Sequence, residues 1–342
     1  MTSLQELLDE GLRTGLYSGA AAGIWTADER RFAVSGTHAY GDTTPIGVNS
    51  VFDLASVSKT FTAAVLLKLV ESGSLSLDDP VSARLPVGIG EDASRITLRM
   101  LLSHTSGLPD VSFLWRDSPG IAPEERLGAI LATPLLSAPG AKYRYSCIGY
   151  IAAAAYAEKV TGQSLPELLD ELVARPLGLT SVGYGPVDPV VAVATEEEPW
   201  VGRGLVRGEV HDETSWFLGG ASGNAGLFGT VGDVLSFAHT FVDGRLLGPE
   251  GLHEATTDQL APGIRESHGQ GIGPWIADRD IFGNIEAFGH PGFTGTLWLV
   301  IPATGTAAVL LTNRVHPSRD RVDLDPFRRR FVAWVAERGR EM

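Results

Sequence analysis

The stretch SVSKTFTAAVLLKLVES, residues 56–72, decides the fold. Apolar residues lie on most sides of this stretch, and Gly73 follows it. A helix that is apolar all round is a buried helix, and glycine is common just past a helix end. The sequence therefore predicts a central, buried helix that begins at Ser56.

Ser56 and Lys59 lie three residues apart at the start of this predicted helix, so the hydroxyl and the amine share one face. Burial disfavours the charged form of lysine, and a neutral or hydrogen-bonded amine can activate a serine nucleophile. A helix N-terminus adds a partial positive field where an oxyanion would form. The alternative for the same tetrapeptide is a capped helix with an exposed lysine.

Both ends of the chain show the pattern of an antiparallel sheet flanked by helices. A capping-box pair, Ser3 and Glu6, opens an amphipathic helix, and Asp325 with Pro326 marks the start of the last helix. Alternation and turn residues predict two hairpins, formed by residues 20–25 with 31–34 and by 296–301 with 306–312. We expect the last helix to pack on the sheet beside the first.

The middle of the chain has a different character. It has Pro-marked breaks and helical patches at residues 150–160 and 164–174, with little strand-like alternation. The predicted fold class is therefore α/β (α+β): a discontinuous sheet domain, 1–75 and 216–342, around an inserted helical domain, 76–215.

The composition limits the classes of partner. There are 27 basic and 41 acidic residues, a net charge of −14, which argues against nucleic acid because phosphate binding relies on clustered Lys and Arg. Cys147 is the only cysteine, which excludes an intramolecular disulfide and fits a reducing compartment. The N-terminal residues lack the pattern of a secretory signal, and no stretch is apolar for the length of a membrane span. We expect a cytoplasmic protein without a membrane partner.

Three short motifs occur in order: Ser56-Val57-Ser58-Lys59, Tyr145-Ser146-Cys147 and His290-Pro291-Gly292. With them the chain resembles the superfamily of class C β-lactamases, penicillin-binding proteins and related esterases, whose motifs are Ser-x-x-Lys, Tyr-x-Asn and Lys-Thr-Gly or His-x-Gly. The flanks at 101–108, 225–228 and 312–316 also look like this family. The resemblance implies the β-lactamase/transpeptidase fold, with the active site between the two domains.

The resemblance also implies roles. Ser56 would attack the substrate carbonyl, Lys59 would lower the cost of deprotonating it, and Tyr145 would act as general base and later as proton donor. The oxyanion hole would be formed by the backbone N–H groups of Ser56 and Phe293.

In the third motif, His290 and Gly292 would contact the substrate. His290 could orient the substrate or form a hydrogen bond toward Tyr145, and the alternative is a structural histidine at a strand end.

Cys147 departs from the family pattern, which usually has asparagine at this substrate-binding position. A thiol is a much weaker hydrogen-bond partner than an amide. This favours an ester over a β-lactam or D-Ala-D-Ala substrate. The alternative that Cys147 is itself the nucleophile lacks an activating histidine in the sequence.

Other signals are weaker. No His-Glu-x-x-His, paired cysteines or P-loop motif occurs, so no metal or cofactor is implied. We interpret residues 210–213, which hold a histidine and two carboxylates, as a capped turn or surface loop rather than part of the cleft. Residues 269–273 are interpreted as turn and strand. Tryptophans that could line an acyl pocket are more often core: Trp115, Trp200, Trp216 and Trp275.

Three functions remain open at this point. The first is a serine hydrolase acting on short acyl esters. The second is an amide-directed relative (a β-lactamase, a D-aminopeptidase or D-Ala carboxypeptidase) or an acyltransferase. The third is a non-catalytic binding protein. The partner is expected to be a small-molecule ester or amide, and the sequence leaves the oligomeric state open.

Overall fold

The computed structural model describes residues 2–264 and 267–340. The strands of this part of the chain are β1 (Gly19–Trp25), β2 (Arg30–Gly36), β3 (Phe52–Asp53), β4 (Gly183–Tyr184), β5 (Glu197–Glu198), β6 (Gly204–Leu205), β7 (Leu227–Gly229), β8 (Gly269–Gln270), β9 (Trp275–Ile276), β10 (Phe288–Pro291), β11 (Leu297–Ile301) and β12 (Thr306–Thr312). Its α-helices are α1 (Leu4–Arg13), α2 (Ser58–Glu71), α3 (Leu98–Leu102), α4 (Leu114–Asp117), α5 (Pro123–Leu131), α6 (Cys147–Thr161), α7 (Leu165–Leu169), α8 (Arg175–Leu177), α9 (Glu213–Phe217), α10 (Val231–Asp243), α11 (Pro249–Thr256) and α12 (Asp325–Arg340).

A seven-stranded sheet joins the two ends of the chain in the order β2-β1-β12-β11-β10-β9-β8. Its neighbouring strands pair antiparallel. Both predicted hairpins, β1-β2 and β11-β12, are therefore confirmed. This pairing places His290 and Pro291 of the third motif on β10, the third strand from the β8 edge of the sheet.

The two faces of this sheet pack against different helices. Alternate residues of β12 show this division: Leu310 packs with α1 and α12, whereas Leu311 packs in the core that contains α2 and α10. Such alternation follows from the period of two along a strand. The predicted packing of the last helix beside the first is confirmed, since Arg330 of α12 pairs with Glu10 of α1 at 2.7 Å.

The predicted central helix is present, but its start needs a correction. A 3-10 turn covers Ala55–Val57, and the α-helix begins at Ser58 rather than at Ser56. Ala55 has a φ of 46°, in the left-handed region that interrupts regular helix geometry. Ser56 therefore lies on the tight turn immediately before the helix.

The middle of the chain is mainly helical, as predicted. The helical patches correspond to α6 and to the run of α7, a π-helical segment at Asp170–Ala174, and α8. Short strands also occur there, and β4 pairs with β7, which pairs with β3. Two-residue strands have too little alternation to be detected in a sequence. The exact domain bounds stay a prediction.

No described helix combines the length and apolar character needed to cross a membrane.

Candidate active site

The turn that carries Ser56 is fixed by a buried carboxylate. Asp53 accepts hydrogen bonds from the backbone N–H of Ala55 and of His211, each at 2.7 Å. The Thr294 hydroxyl donates to the Asp53 carbonyl at 2.8 Å. These contacts hold the left-handed Ala55 from two distant parts of the chain. They present the half-buried Ser56 at the floor of a cleft.

The side chain of Lys59 contacts that of Ser56. Its Nζ donates to Ser56 Oγ at 2.9 Å and to the carbonyl of Asn224 at 3.2 Å. The ammonium also lies 4.8 Å from the centre of the Tyr145 ring. Lys59 is 0% exposed, so the alternative of an exposed lysine is wrong. The structure brings the three predicted catalytic residues together.

The protonation of this group differs from the sequence expectation. Burial opposes the charge on Lys59, but Cys147, Tyr145 and Asp212 outweigh it and raise the pKa of the ammonium above its usual value. Burial also raises the pKa of the Tyr145 hydroxyl, although the nearby Lys59 opposes this rise. Both groups therefore hold their protons at neutral pH, and Lys59 is a charged donor to Ser56 rather than a neutral amine.

Tyr145 is held by the segment that leads into α6. The next residue, Ser146, caps α6 by accepting a hydrogen bond from Gly149 N–H at 3.1 Å. Its own N–H donates to Nδ1 of the buried His104 at 2.9 Å. His104 belongs to the 101–108 flank, and its ring lies 4.5 Å from the Tyr145 ring. This flank therefore positions Tyr145, the predicted general base.

Cys147 is the first residue of α6 and is buried. Burial raises the pKa of its thiol, although the neighbouring Lys59 opposes this. A protonated thiol is a poor nucleophile. The thiol is also buried and is not among the described residues that line the cleft, which disfavours the alternative in which Cys147 attacks the substrate.

His290 is fully buried at the end of β10, where the short β9 pairs only with Phe288 and Gly289. Its Nδ1 donates to the Pro291 carbonyl at 2.7 Å, and its Nε2 has no partner in the described parts of the chain. Its ring centre lies 6.1 Å from that of Tyr145, so the two rings are neighbours without a hydrogen bond. Burial, assisted by Lys59, lowers the pKa of His290 to about 3, and the ring is neutral.

These buried histidines predict acid-sensitive stability. Burial lowers the pKa of His104 as well as that of His290. The unfolded chain therefore takes up protons below about pH 6.5 that the folded chain refuses. Stability is complete above that pH and falls as the pH drops toward the folded pKa of about 3 for His290.

We expect the free energy of unfolding, measured by urea titration, to fall by roughly 1.4 kcal/mol per pH unit for each such histidine below pH 6.5. His290→Gln should reduce the slope of unfolding free energy against pH by the contribution of one proton, about 1.4 kcal/mol per pH unit. His253→Gln, at an exposed site, serves as the control. An unchanged slope in His290→Gln would contradict the assignment.

The predicted oxyanion segment lines the cleft together with Ser56. A Cβ on Gly292 would lie 2.6 Å from the Leu54 carbonyl, so glycine is required there by close packing. The N–H of Gly292 is used by the Thr296 carbonyl at 2.7 Å. The next N–H, that of Phe293, donates to no other group in the part of the chain that the structure describes. It is available to a ligand, as the predicted role requires.

The cleft has a volume of about 740 Å³. One wall contains Tyr143, Tyr145, His268 and Trp275, and the other is formed by residues between 314 and 328. Trp275 is thus a cleft residue, whereas Trp115, Trp200 and Trp216 surround a separate cavity. The interpretation of residues 269–273 as turn and strand is confirmed by β8.

A chain of polar groups that the sequence analysis missed lies in the first wall. The Tyr143 hydroxyl is 2.9 Å from Nε2 of His268, and Nδ1 of His268 is 3.2 Å from a carboxylate oxygen of the buried Asp278. Trp275 stacks on the His268 ring at 4.5 Å. A hydroxyl, an imidazole and a carboxylate thus follow one another at the edge of the cleft. These residues are too far apart in the sequence to form a recognisable motif, since Tyr143 and His268 are separated by 125 residues.

The interpretation of residues 210–213 as a capped turn is confirmed by Asp212, which caps α9 by accepting a hydrogen bond from the Ser215 N–H at 2.7 Å, but the surface-loop interpretation is wrong for His211, which is 3% exposed. Its Nε2 lies 2.8 Å from Glu196, and its ring stacks on Phe293. Glu196, Glu198 and His211 could offer a metal three ligand atoms. Their carboxylates are already paired with guanidinium groups, Glu196 with Arg319 and Glu198 with Arg203. The cluster is therefore a buried ion network behind the cleft.

Comparison with known proteins agrees with this geometry. The family model described as Beta-lactamase matches residues 4–333. A protein of Escherichia coli strain K12, provisionally named D-alanyl-D-alanine carboxypeptidase, is 31% identical over 304 residues, which cover 78% of this chain and 70% of the relative.

Two solved structures are also similar. EstCE1, described as a hydrolase with promiscuous acyltransferase activity, is 23% identical with a TM-score of 0.76, over 96% of this chain and 97% of its own. The D-stereospecific amidohydrolase from Streptomyces sp. is 25% identical with a TM-score of 0.70, over 91% of this chain and 94% of its own. The predicted fold is confirmed, and because the family model spans nearly the whole sequence, this chain belongs to the β-lactamase family and is a serine hydrolase.

Proposed function

We propose that the protein hydrolyses short acyl esters through an acyl-enzyme on Ser56. The observation that carries this proposal is the 2.9 Å contact between Lys59 Nζ and Ser56 Oγ, with the Tyr145 ring against the same ammonium. A serine whose hydroxyl contacts an acid–base group at the floor of a cleft is the arrangement that acyl transfer needs. The substrate is inferred to be a small molecule that fits the cleft.

The reaction starts when the pair of Lys59 and Tyr145 has lost one proton. Ser56 Oγ attacks the carbonyl carbon and gives its proton to this pair, while the N–H groups of Ser56 and Phe293 bind the oxyanion. The C–O bond to the leaving alcohol then breaks, and the alcohol takes the proton. Water then attacks the carbonyl carbon of the acyl-enzyme and gives a proton to the same pair. The bond to Ser56 Oγ breaks, Ser56 takes the proton back, and the carboxylic acid leaves.

The ester preference rests on Cys147. In the family that the chain resembles, this position usually has an asparagine whose amide can bind the amide of a lactam or peptide. Here a buried thiol lies beside Lys59 and offers only a weak hydrogen bond. An ester has no amide N–H that must be satisfied, so it loses less from this change.

A second candidate is hydrolysis of D-aminoacyl amides. The carboxylates of Asp320 and Asp323 line the mouth of the cleft, where their charge would attract a substrate ammonium. Relatives with this chemistry in their names include the Streptomyces amidohydrolase and the D-amino acid amidase from Ochrobactrum anthropi, 23% identical with a TM-score of 0.75.

The deciding experiment compares kcat/KM for p-nitrophenyl acetate, D-alanine p-nitroanilide and a chromogenic cephalosporin, with Ser56→Ala as the blank. Fast ester turnover with slow amide and lactam turnover supports the proposal. Faster turnover of the D-alanine anilide would replace the ester proposal by the second candidate, since both use Ser56.

Cys147→Asn should move the selectivity toward amides. The new amide can bind the substrate amide, so we expect the ratio of cephalosporin to ester kcat/KM to rise by roughly tenfold, equivalent to one hydrogen bond of about 1.4 kcal/mol. Cys147→Ala is the matched control, because it removes the thiol without adding an amide. An equal ratio in the two variants would contradict the role assigned to Cys147.

A further inference from the structure

Arg328 is a buried arginine on the first turn of α12, beside the oxyanion segment, and it contributes to the lining of the cleft. Its side chain is 8% exposed, and one Nη atom donates to the carbonyls of Gly292 at 2.6 Å and of Thr296 at 3.0 Å. The other Nη donates to Asp325 at 2.8 Å. Burying a guanidinium is costly unless it is paired and hydrogen-bonded, so its place here requires a reason.

These bonds compensate the buried guanidinium only in part. Its Nε–H is buried and has no partner among the described residues. Asp325, its only carboxylate partner in the described chain, is 42% exposed, so water screens the negative charge while the guanidinium stays buried. A positive field therefore remains at the Gly292 carbonyl.

The Gly292 carbonyl belongs to the same peptide group as the N–H of Phe293. A cation that binds the oxygen of an amide draws electron density from its nitrogen, and hydrogen bonds in such chains strengthen one another. The neighbouring Phe293 carbonyl accepts a hydrogen bond from Arg314 Nε at 3.0 Å, and the Gly292 N–H is held by Thr296. The orientation of the Phe293 N–H is thus fixed from both sides.

We propose that Arg328 is a positioning residue that orients and polarises the Gly292–Phe293 peptide, so that the Phe293 N–H becomes a stronger oxyanion donor. This inference rests on the proposed function, in which that N–H binds the oxyanion. The hydrogen bonds of Arg328 go to the carbonyls of Gly292 and Thr296 and to Asp325, and none goes to Ser56. Arg328 acts through the carbonyl at the other end of the peptide.

The test uses Arg328→Ala and Arg328→Gln in the full chain, with Arg330→Met as the control. Arg330 lies on the same helix, and its ion pair with Glu10 is on the surface, away from the cleft. Two quantities are measured per active site, counted by burst titration: kcat/KM for p-nitrophenyl acetate, and the Ki of phenylboronic acid. The boronate forms a tetrahedral adduct with Ser56 and places an oxygen in the oxyanion hole.

We expect kcat/KM to fall by on the order of tenfold, less than the roughly 100- to 1,000-fold loss on deleting a donor outright. The Ki of the boronate should rise by the same factor, because both report binding of a tetrahedral oxyanion. Added guanidinium chloride, at concentrations that do not unfold the protein, should partly restore both values in Arg328→Ala but not in the control. Arg328→Lys, which keeps the charge, should be less impaired than Arg328→Gln.

A folded Arg328 variant with wild-type kcat/KM and wild-type boronate Ki would overturn the inference. So would a loss of kcat/KM with unchanged Ki, because the oxyanion hole would then be intact and Arg328 would act elsewhere. If Arg328→Ala does not fold, Arg328→Gln gives the same two readouts. Ser56→Ala separates the two proposals. If this variant keeps its activity, the proposed function fails. If it is inactive while the Arg328 variants have wild-type kcat/KM and Ki, only this inference fails.

Discussion

Ser56→Ala should lower kcat for p-nitrophenyl acetate by on the order of 10⁶-fold, the size of loss found when a serine nucleophile is removed. Without Oγ no acyl-enzyme forms, and only the oxyanion donors and the bound water remain to assist the reaction. The kinetics are measured with burst analysis, so that both the burst and the steady-state rate are followed.

Ser58→Ala is the matched control. Ser58 is a buried serine two positions further on, whose Oγ accepts a hydrogen bond from the Leu227 N–H at 3.2 Å. It is expected to lose stability rather than chemistry, and to keep a burst. A comparable loss of kcat in both variants would show that the loss in Ser56→Ala comes from disruption of the turn and not from removal of the Ser56 hydroxyl.

Lys59→Met and Tyr145→Phe form the second large prediction. Each removes one member of the acid–base pair, and we expect kcat to fall by roughly 10²- to 10⁴-fold in each. Tyr150→Phe is the control, because Tyr150 also lies near Lys59, at 5.9 Å, but its hydroxyl donates to the Leu102 carbonyl. Full activity in Tyr145→Phe would remove Tyr145 from the mechanism.

The pH profile follows from the same pair. The pKa of Lys59 and that of Tyr145 are both raised, so both hold their protons at neutral pH. The active form has one proton fewer, and its population grows as the pH rises. The wild-type kcat/KM should therefore increase from neutral toward alkaline pH, and a maximum in acid would contradict this base assignment.

Much of the site could be predicted because its residues lie in short, ordered motifs. Ser56 and Lys59 share one turn, and Tyr145 lies in a three-residue motif shortly before the predicted helical patch at residues 150–160. The hairpin formed by β11 and β12 was equally readable, since alternation and a Pro-to-Gly turn are local signals.

What the sequence could not show depends on distant contacts. Tyr143 and His268 are 125 residues apart, and Arg328 reaches Gly292 across 36 residues. The start of α2 was misplaced because Ala55 is held in a left-handed conformation by Asp53, which is itself bound by His211. The pKa of Lys59 is lowered by burial and raised by Cys147 and Tyr145 and, to a smaller extent, by Asp212, whose proximity no spacing reveals.

The most direct test of the central claim is the mass of the trapped intermediate. The protein is mixed with a p-nitrophenyl ester, quenched in acid within the burst phase, and examined by intact mass spectrometry and peptide mapping. We predict one added acyl group, on the peptide that contains Ser56, and none in Ser56→Ala. An acyl group on the peptide that contains Cys147, or ester turnover with no trapped adduct at any quench time, would contradict the account.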